Sequence, residues 1–567
     1  MYGKPSTMLW PGLAAIVLAA SWIIPNHNNP WRVFHQDAWM ALCILCLGVW
    51  VTFQCGKLHA WSAPSIITAC CALIPILQWY FGLIATTGQA ILASSYVLCL
   101  AFAMLLSQQI QKTHAKLLLN CLFTAIFLGC VTNVTIQLFQ WLAIYDENLL
   151  SFIGFWILPV PSVSRPSGNL LQPNQLATLL VWGMLAGYWG YVQRTLNLTV
   201  LSIYWFFLGL GIAITQSRIG MIELYCVCVL VYFWRRLLPD KRLLYCSIGL
   251  ALFVTILYFL IPSLSGLMGL EYSGRNHSEL TQDNIRSTAY RIFYDALFAH
   301  PWFGYGMGHL GNAYLELIKT QALQPVYFLH SHNVFLDILL WFGLPLGLLL
   351  IVGIFYWLVK VFRSIDDFEK AIVFVMIMAL GLHSLVELPH QFMYFVVPIG
   401  FAAGSLNQIW PTLKISRWAT GFFTSIALVL WAIIFSDYLK TEEHYSELLF
   451  EQQRIGLPLG NPVPELIVLN QLQYMMQLHR ARPAPGMSDD QLNWMRKAAL
   501  GEVSTGYFNL IASLALNGHK DEAIEWMYKL NAISSKSGYQ TTLTQWQALQ
   551  KKYPELANLS WVPLRTK

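Results

Sequence analysis

Long apolar runs alternate with short polar connections along most of this chain, and the runs have the length a membrane demands. A helix needs about 20 apolar residues to cross the hydrocarbon layer with every backbone polar group bonded inside the segment. About thirteen runs meet that demand, lying roughly at 8–25, 39–54, 64–86, 89–107, 117–143, 175–192, 199–215, 218–234, 242–262, 333–362, 370–387, 390–408 and 418–436. No small-residue cleavage site follows the first run, so it is expected to stay as a span. The pattern changes twice: residues 263–332 are polar, and from about 437 the chain has ordinary soluble composition. The expected fold class is an all-α polytopic membrane protein with one long loop and a C-terminal soluble helical domain.

Five regions follow from this pattern. Residues 1–144 hold five spans with very short connections and almost no polar residues inside them. Residues 145–262 open on an outer segment that carries an Arg/Gln motif and continue through four spans. The loop is 263–332, four spans occupy 333–436, and the tail is 437–567. In the tail, Tyr507 to Gly518 has apolar residues at helical spacing and ends on a glycine suited to a C-cap. His519 to Leu530 reads as a second amphipathic helix, with small Ala523 permitting close contact. The pair resembles one tetratricopeptide unit; a plain helical bundle is the alternative, and no repeat array is visible.

Composition narrows the class further. Of 567 residues, 56% are apolar and 11% charged, and the mean hydropathy is +0.52. Those values exclude a soluble enzyme with a large core. The net charge of +6 is a topology signal, not a nucleic-acid signal. With the N-terminus inside, cytoplasmic connections hold Lys4, Lys57, Lys112, Lys116, Arg194, Arg235, Arg236, Lys241, Arg242, Lys360, Arg363, Lys370, Lys414 and Arg417, against Arg32, Arg165 and Arg218 in the short outer ones. The loop and the tail then lie outside the cytoplasmic membrane. All 11 cysteines precede residue 247, so neither the loop nor the tail has a disulfide framework or a cysteine zinc site.

The residues able to do chemistry gather on the outer side. His330-Ser-His-Asn-Val-Phe-Leu-Asp337 joins the loop to the tenth run. An imidazole there titrates near neutral pH and can accept a proton from an incoming nucleophile; an interfacial anchor is the simpler role. Arg165 lies in Arg165-Pro-Ser-Gly-Asn-Leu-Leu-Gln-Pro-Asn-Gln175, Arg218 in Thr-Gln-Ser-Arg-Ile-Gly, and Arg275, Arg286 and Arg291 in the loop. Guanidinium forks bind phosphate bidentately, so several on the Arg-poor side suit a pyrophosphate-bearing ligand. Singly, each is better explained by a carboxylate or a lipid headgroup. Gly304, Gly306, Gly308 and Gly311 are placed to cradle a phosphate or to make turns. Gln172, Asn174 and Gln175 can bond sugar hydroxyls or cap the helix that starts there. His383, Glu387 and His390 share one region with Tyr394; Pro389 interrupts the face, which favours a polar rim over a metal site.

The order of spans, long loop, His-Ser-His-Asn-x-Phe-Leu-Asp and then Trp-Phe-Gly-Leu-Pro-Leu-Gly (341–347) resembles the bacterial O-antigen ligase/polymerase (Wzy/WaaL-like) superfamily. Within it, residues 165–177 and the long tail look like protein O-oligosaccharyltransferases of the PglL type. That resemblance implies en bloc transfer of a preassembled glycan from undecaprenyl pyrophosphate to a serine or threonine of a periplasmic or pilin-like protein. It implies an inner-membrane enzyme with no cofactor, no metal and no nucleic-acid partner. His332 matches the family's loop histidine, Arg218 and Arg291 its arginines, and Gln172, with Gln175 as rival, its glutamine. Tyr394 matches its tyrosine, while Arg165, His330 and Asn333 are expected beside the substrate. The Trp-Trp-Asp motif of N-linked transferases is absent. The rival readings are a ligase or polymerase with a glycan acceptor, and a transporter. Transporters place ionisable groups near the bilayer midplane, often within inverted repeats, and neither is visible here.

Overall fold

The computed structural model describes residues 6–142, 156–158, 165–270, 282–317, 328–453, 462–501 and 506–563. Arg275 and the side chain of Arg286 lie outside the described residues. The described residues are helical almost throughout, and every apolar run contains helix. Among the described residues, eight helices are long and apolar enough to cross a membrane: Phe34–Gln54, Ala63–Tyr80, Thr87–Thr113, Leu117–Trp141, Leu198–Thr215, Arg242–Leu267, Val334–Arg363 and Arg417–Glu451. Shorter apolar helices accompany them, including Pro11–Trp22 and Met393–Ile409. A two-stranded antiparallel ribbon pairs Leu58–Ser62 with Thr412–Ser416, Leu58 opposite Ser416.

Two compact units result. The first comprises Met1–Cys71, Tyr96–Thr281 and Ile354–Trp431. At its centre is helix Pro173–Val192, in which every residue from Asn174 to Trp189 is buried. A helix apolar on all sides must be enclosed by others, and small residues let the neighbours close in. A Cβ on Gly183 would stand 2.6 Å from Cys130 Sγ, and one on Gly220 would stand 2.5 Å from Ala177 Cβ. The same device seats helix Met393–Leu406 on Thr87–Thr113, where a Cβ on Gly404 would meet Met104 O at 2.1 Å.

The second unit comprises Ala72–Ser95, Gln282–Gly353 and Ala432–Lys567. The polar loop is not irregular here: it contains helices Gln282–Ala299 and Leu310–Leu317. Their Phe293 and Tyr314 share one hydrophobic core with Trp341 and with Leu478, Met495, Leu510, Trp526 and Trp546 of the tail. Loop and tail therefore bury into each other. The tail's helices Tyr507–Leu516 and Lys520–Ile533 turn at Gly518, which has φ +86°, and Ala523 is fully buried. The next tie is ionic, Arg496 gripping Glu522 through two bonds of 2.7 and 2.6 Å.

Helix Val334–Arg363 is broken at Gly343, whose φ/ψ of 75°/171° no helix contains. The break frees carbonyls, and the glycine-rich loop takes them up. Tyr305 N donates to Leu340 O (2.8 Å), Gly306 N to Trp341 O (3.2 Å), and Leu344 N to Pro301 O (2.6 Å). Gln78 bridges the same place, donating to Trp341 O at 2.7 Å and accepting from Met307 N at 3.0 Å. Only glycine fits at the crossing, since a Cβ on Gly343 would lie 2.4 Å from the Trp302 carbonyl atoms. At Gly304 and Gly306 the structure shows the turn alternative: the amides of Gly304, Tyr305, Gly306 and Met307 are already bonded within the protein.

Candidate functional site

In the first unit the polar segment 165–172 rests on amides that the hydropathy pattern hides. Asn133, Gln137 and Gln140 recur on one face of helix Leu117–Trp141 and are all buried. Gln140 accepts from Ser167 N (3.1 Å) and Gly168 N (2.9 Å) and donates to Gly168 O (2.9 Å). Asn133 accepts from Asn169 N (2.9 Å) and donates to Trp22 O (2.9 Å), and Gln137 donates to Pro166 O (3.3 Å). The first five spans are thus not empty of polar residues. Gly168, at φ +60°, leaves no room for a Cβ, which would approach Asn133 Oδ1 to 2.5 Å.

This scaffold delivers Gln172 and the helix behind it. Gln172 is the N-cap, its Oε1 accepting from Gln175 N at 2.9 Å. Gln175 in turn accepts from the Tyr394 hydroxyl at 2.6 Å. The structure therefore joins the predicted tyrosine to Gln175, and gives Gln172 the capping role. Asn174 links two further elements: it accepts from Ser217 Oγ at 2.8 Å and donates to Glu387 Oε1 at 3.4 Å. Ser217 caps helix Arg218–Phe233, so Arg218 is exposed at a helix N-terminus. Guanidinium and helix dipole favour an anion in the same place. Arg165 turns inward, where Nη1 donates to Thr215 O (3.3 Å) and Gln216 O (3.1 Å), the free carbonyls at the end of helix Leu198–Thr215.

Beneath these groups Thr178 Oγ1 bonds Glu223 Oε1 at 2.8 Å and His383 Nδ1 at 2.7 Å, all three fully buried. His383 thus belongs to an internal network rather than to a rim. Asp37, also buried, accepts from Met393 N (2.7 Å) and from the Tyr96 hydroxyl (2.6 Å). Phe392, the N-cap of helix Met393–Leu406, offers no side-chain bond; Asp37 supplies the missing acceptor from a distant helix and so fixes the turn that carries Tyr394. Sequence reasoning passed over Asp37, Tyr96, Thr178 and Glu223. A lone carboxylate in an apolar run was the available signal.

In the second unit His330-Ser-His-Asn forms a tight turn onto helix Val334–Arg363. Asn333 Oδ1 caps it, accepting from Phe335 N (3.0 Å) and Leu336 N (3.2 Å). Asp337, one turn on, accepts from Ser331 N (3.1 Å) and from the Ser331 hydroxyl, and Ser331 Oγ accepts from Asn333 N at 3.2 Å. His332 is held between these bonds at φ 58°, a left-handed conformation that a non-glycine residue adopts at a cost. Burial, reinforced by the neighbouring His332 imidazole, pushes the His330 imidazole down to about 4, so His330 is neutral near pH 7. Arg291 stands exposed on helix Gln282–Ala299.

Comparison with known proteins now bears on these residues. Residues 203–352 match the O-antigen ligase family, and residues 372–549 match the C-terminal region of the virulence factor membrane-bound polymerases. Residues 166–189, which hold Gln172, Gln175 and Thr178, match the protein glycosylation ligase family. A "General O-oligosaccharyltransferase" of Acinetobacter baylyi is 24% identical over 551 residues, covering 92% of each chain. These matches support a PglL-type oligosaccharyltransferase of the O-antigen ligase superfamily. A "ComP-specific O-oligosaccharyltransferase" of the same organism is 28% identical over 256 residues, 45% of this chain and 46% of that one. No solved structure matches. The protein is a membrane glycosyltransferase of the oligosaccharyltransferase type, and its capped His-Ser-His-Asn turn lies wholly within the O-antigen ligase match.

Proposed function

We propose that the protein transfers a preassembled glycan en bloc from undecaprenyl pyrophosphate to serine or threonine residues of periplasmic or pilin-like proteins. His332 acts as the base. The acceptor hydroxyl oxygen attacks the anomeric carbon, its proton passes to His332, and the bond from that carbon to the pyrophosphate oxygen breaks. A single displacement of this kind inverts the anomeric centre. Arg218 and Arg291 hold the charge that grows on the leaving pyrophosphate. Gln175, with Tyr394 bonded to it, contacts the glycan; Arg165 and Gln172 keep the segment around them in place. His330 and Asn333 flank the base.

The observation that carries this reading is the His332 turn. A strained, left-handed histidine is maintained by Ser331, Asn333 and Asp337, and such strain persists where function repays it. The topology that goes with it is about thirteen spans, an inside N-terminus in the inner membrane, and a periplasmic loop and tail. In this arrangement 1–144, 145–262 and 333–436 are membrane regions, 263–332 the catalytic loop, and 437–567 a tetratricopeptide-like docking module. The O-antigen ligase match over 203–352 favours one second reading, a glycan acceptor such as lipid A core.

The purified protein incubated with an undecaprenyl-pyrophosphate glycan and candidate acceptor proteins tests this by intact-protein mass. A glycan-sized gain on serine or threonine, lost in His332→Ala, is expected. Transfer to lipid A core with no protein gaining mass would give the assignment to the second reading.

A further inference from the structure

Helix Gln282–Ala299 has two apolar faces. One, carrying Ala289, Ile292, Phe293 and Ala296, is buried in the core shared with the tail. The other exposes Tyr294 (58%) and Phe298 (57%), one turn apart with ring centroids 5.0 Å from each other. The chain then exposes Trp302 (71%) and Phe303 (74%). Aromatic residues left open in a row are not the surface of a water-facing loop.

The loop's backbone bonds fix the depth of this face. Leu344 N donates to Pro301 O at 2.6 Å, so Trp302 stands within about two helical turns, roughly 11 Å, of Leu348 and Leu349. Those leucines are exposed on a helix that can span a membrane, which places hydrocarbon around them. Gln78 ties in the end of Ala63–Tyr80, whose Tyr80 and Phe81 are exposed as well. Six aromatic side chains therefore lie near the level where two spans leave the hydrocarbon.

We propose that helix Gln282–Ala299 and Pro301–Phe303 form an interfacial anchor, lying in the lipid headgroup layer with Tyr294, Phe298, Trp302 and Phe303 turned into it. Tyrosine and tryptophan favour that layer, their rings apolar and their polar tips wet. Arg291 precedes Tyr294 by three residues on the same exposed face, so the anchor sets Arg291 at phosphate depth. This last step rests on the donor reading above: a lipid-linked pyrophosphate is presented in that layer, and the anchor spares Arg291 a search in three dimensions.

The full-length protein in nanodiscs that contain a phospholipid with a headgroup-proximal diazirine tests the anchor without turnover. After photolysis, peptides covering 287–303 are expected to carry adducts at yields like those at 348–352, and several-fold above the tail helix Lys520–Ile533. Labelling of 287–303 no higher than that tail helix overturns the anchor. Tyr294→Ser/Phe298→Ser is expected to raise KM for the lipid-linked donor several-fold, leaving kcat, acceptor KM and melting temperature unmoved. A raised acceptor KM with donor KM unmoved would mark the face as an acceptor dock and overturn the proposal. Because adducts form in inactive protein, loss of the transfer reading and loss of the anchor are separate results.

Discussion

Asp37→Ala is the sharpest test of how the buried network supports Tyr394. The carboxylate is buried and accepts from two donors, Met393 N and the Tyr96 hydroxyl. Removing it orphans both, at about 1–3 kcal/mol each, and withdraws an acceptor from the start of helix Met393–Leu406 at about 0.3–1 kcal/mol. The expected cost is about 2–7 kcal/mol, a large part of a membrane domain's margin. Tyr96→Phe should cost only about 1 kcal/mol, because it leaves no donor stranded. The double variant should then cost clearly less than the sum, since no tyrosine hydroxyl is left to be orphaned. Denaturant unfolding in detergent measures all three. Transfer assayed below the onset of unfolding should still fall in Asp37→Ala, because the turn that holds the Tyr394 hydroxyl on Gln175 is released. An Asp37→Ala cost under about 0.5 kcal/mol, or strict additivity in the cycle, would refute the capping argument.

Three further outcomes follow from individual contacts. Tyr394→Phe and Gln175→Ala should each weaken transfer, and a double-mutant cycle on stability should return a coupling of about 1 kcal/mol for the 2.6 Å bond. Gly343→Ala should prevent the second unit from folding, because its Cβ would meet Trp302 at 2.4 Å. Gly353→Ala, with open space around it, should be neutral or slightly stabilising; folded yield and thermal stability separate the two. Stability should fall as pH drops from 6.5 towards about 4, since an unfolded chain protonates His330 there while the folded one does not. His330→Gln should flatten the unfolding midpoint across that window.

The apolar runs were legible because a span is a local property: length and hydropathy suffice, and each run does contain helix. The His330–Asp337 turn and the glutamines were legible because polar groups at a membrane boundary stand out against their neighbours. Hydropathy averages fail for single polar residues inside a run. Glu223 lowers the mean of its run, 218–234, very little, and the meaning of Asp37, just ahead of the run 39–54, lies in Met393 and Tyr96, far away in sequence. The break at Gly343 failed for another reason. Trp341 to Gly347 reads as one more stretch of apolar helix, and what stops it is a crossing loop that no periodicity encodes. The loop helices were missed because Gln282–Ala299 is apolar on two faces, which blurs the usual helical stripe.

The amide row on helix Leu117–Trp141 explains how an irregular segment can enter a helical membrane protein at all. Backbone that is neither helix nor closed sheet must find partners when water is excluded, or each unbonded group costs several kcal/mol. Leu158 and residues 166–169 find them in three side chains. Asn133, Gln137 and Gln140 lie at i, i+4 and i+7, one helical face; Gln140 offers the passing chain both donor and acceptor, Gln137 a donor and Asn133 an acceptor. Bonded in this way, the segment is as fixed as the helix that holds it, and the fixed segment positions Gln172, Gln175 and the Tyr394 contact. A row of Asn and Gln at that spacing in an apolar run is therefore a readable sign that non-helical backbone is packed beside it. Replacing Gln140 by Leu would satisfy hydropathy better, yet it would strand the Ser167 and Gly168 amides and loosen the segment that carries the glutamines.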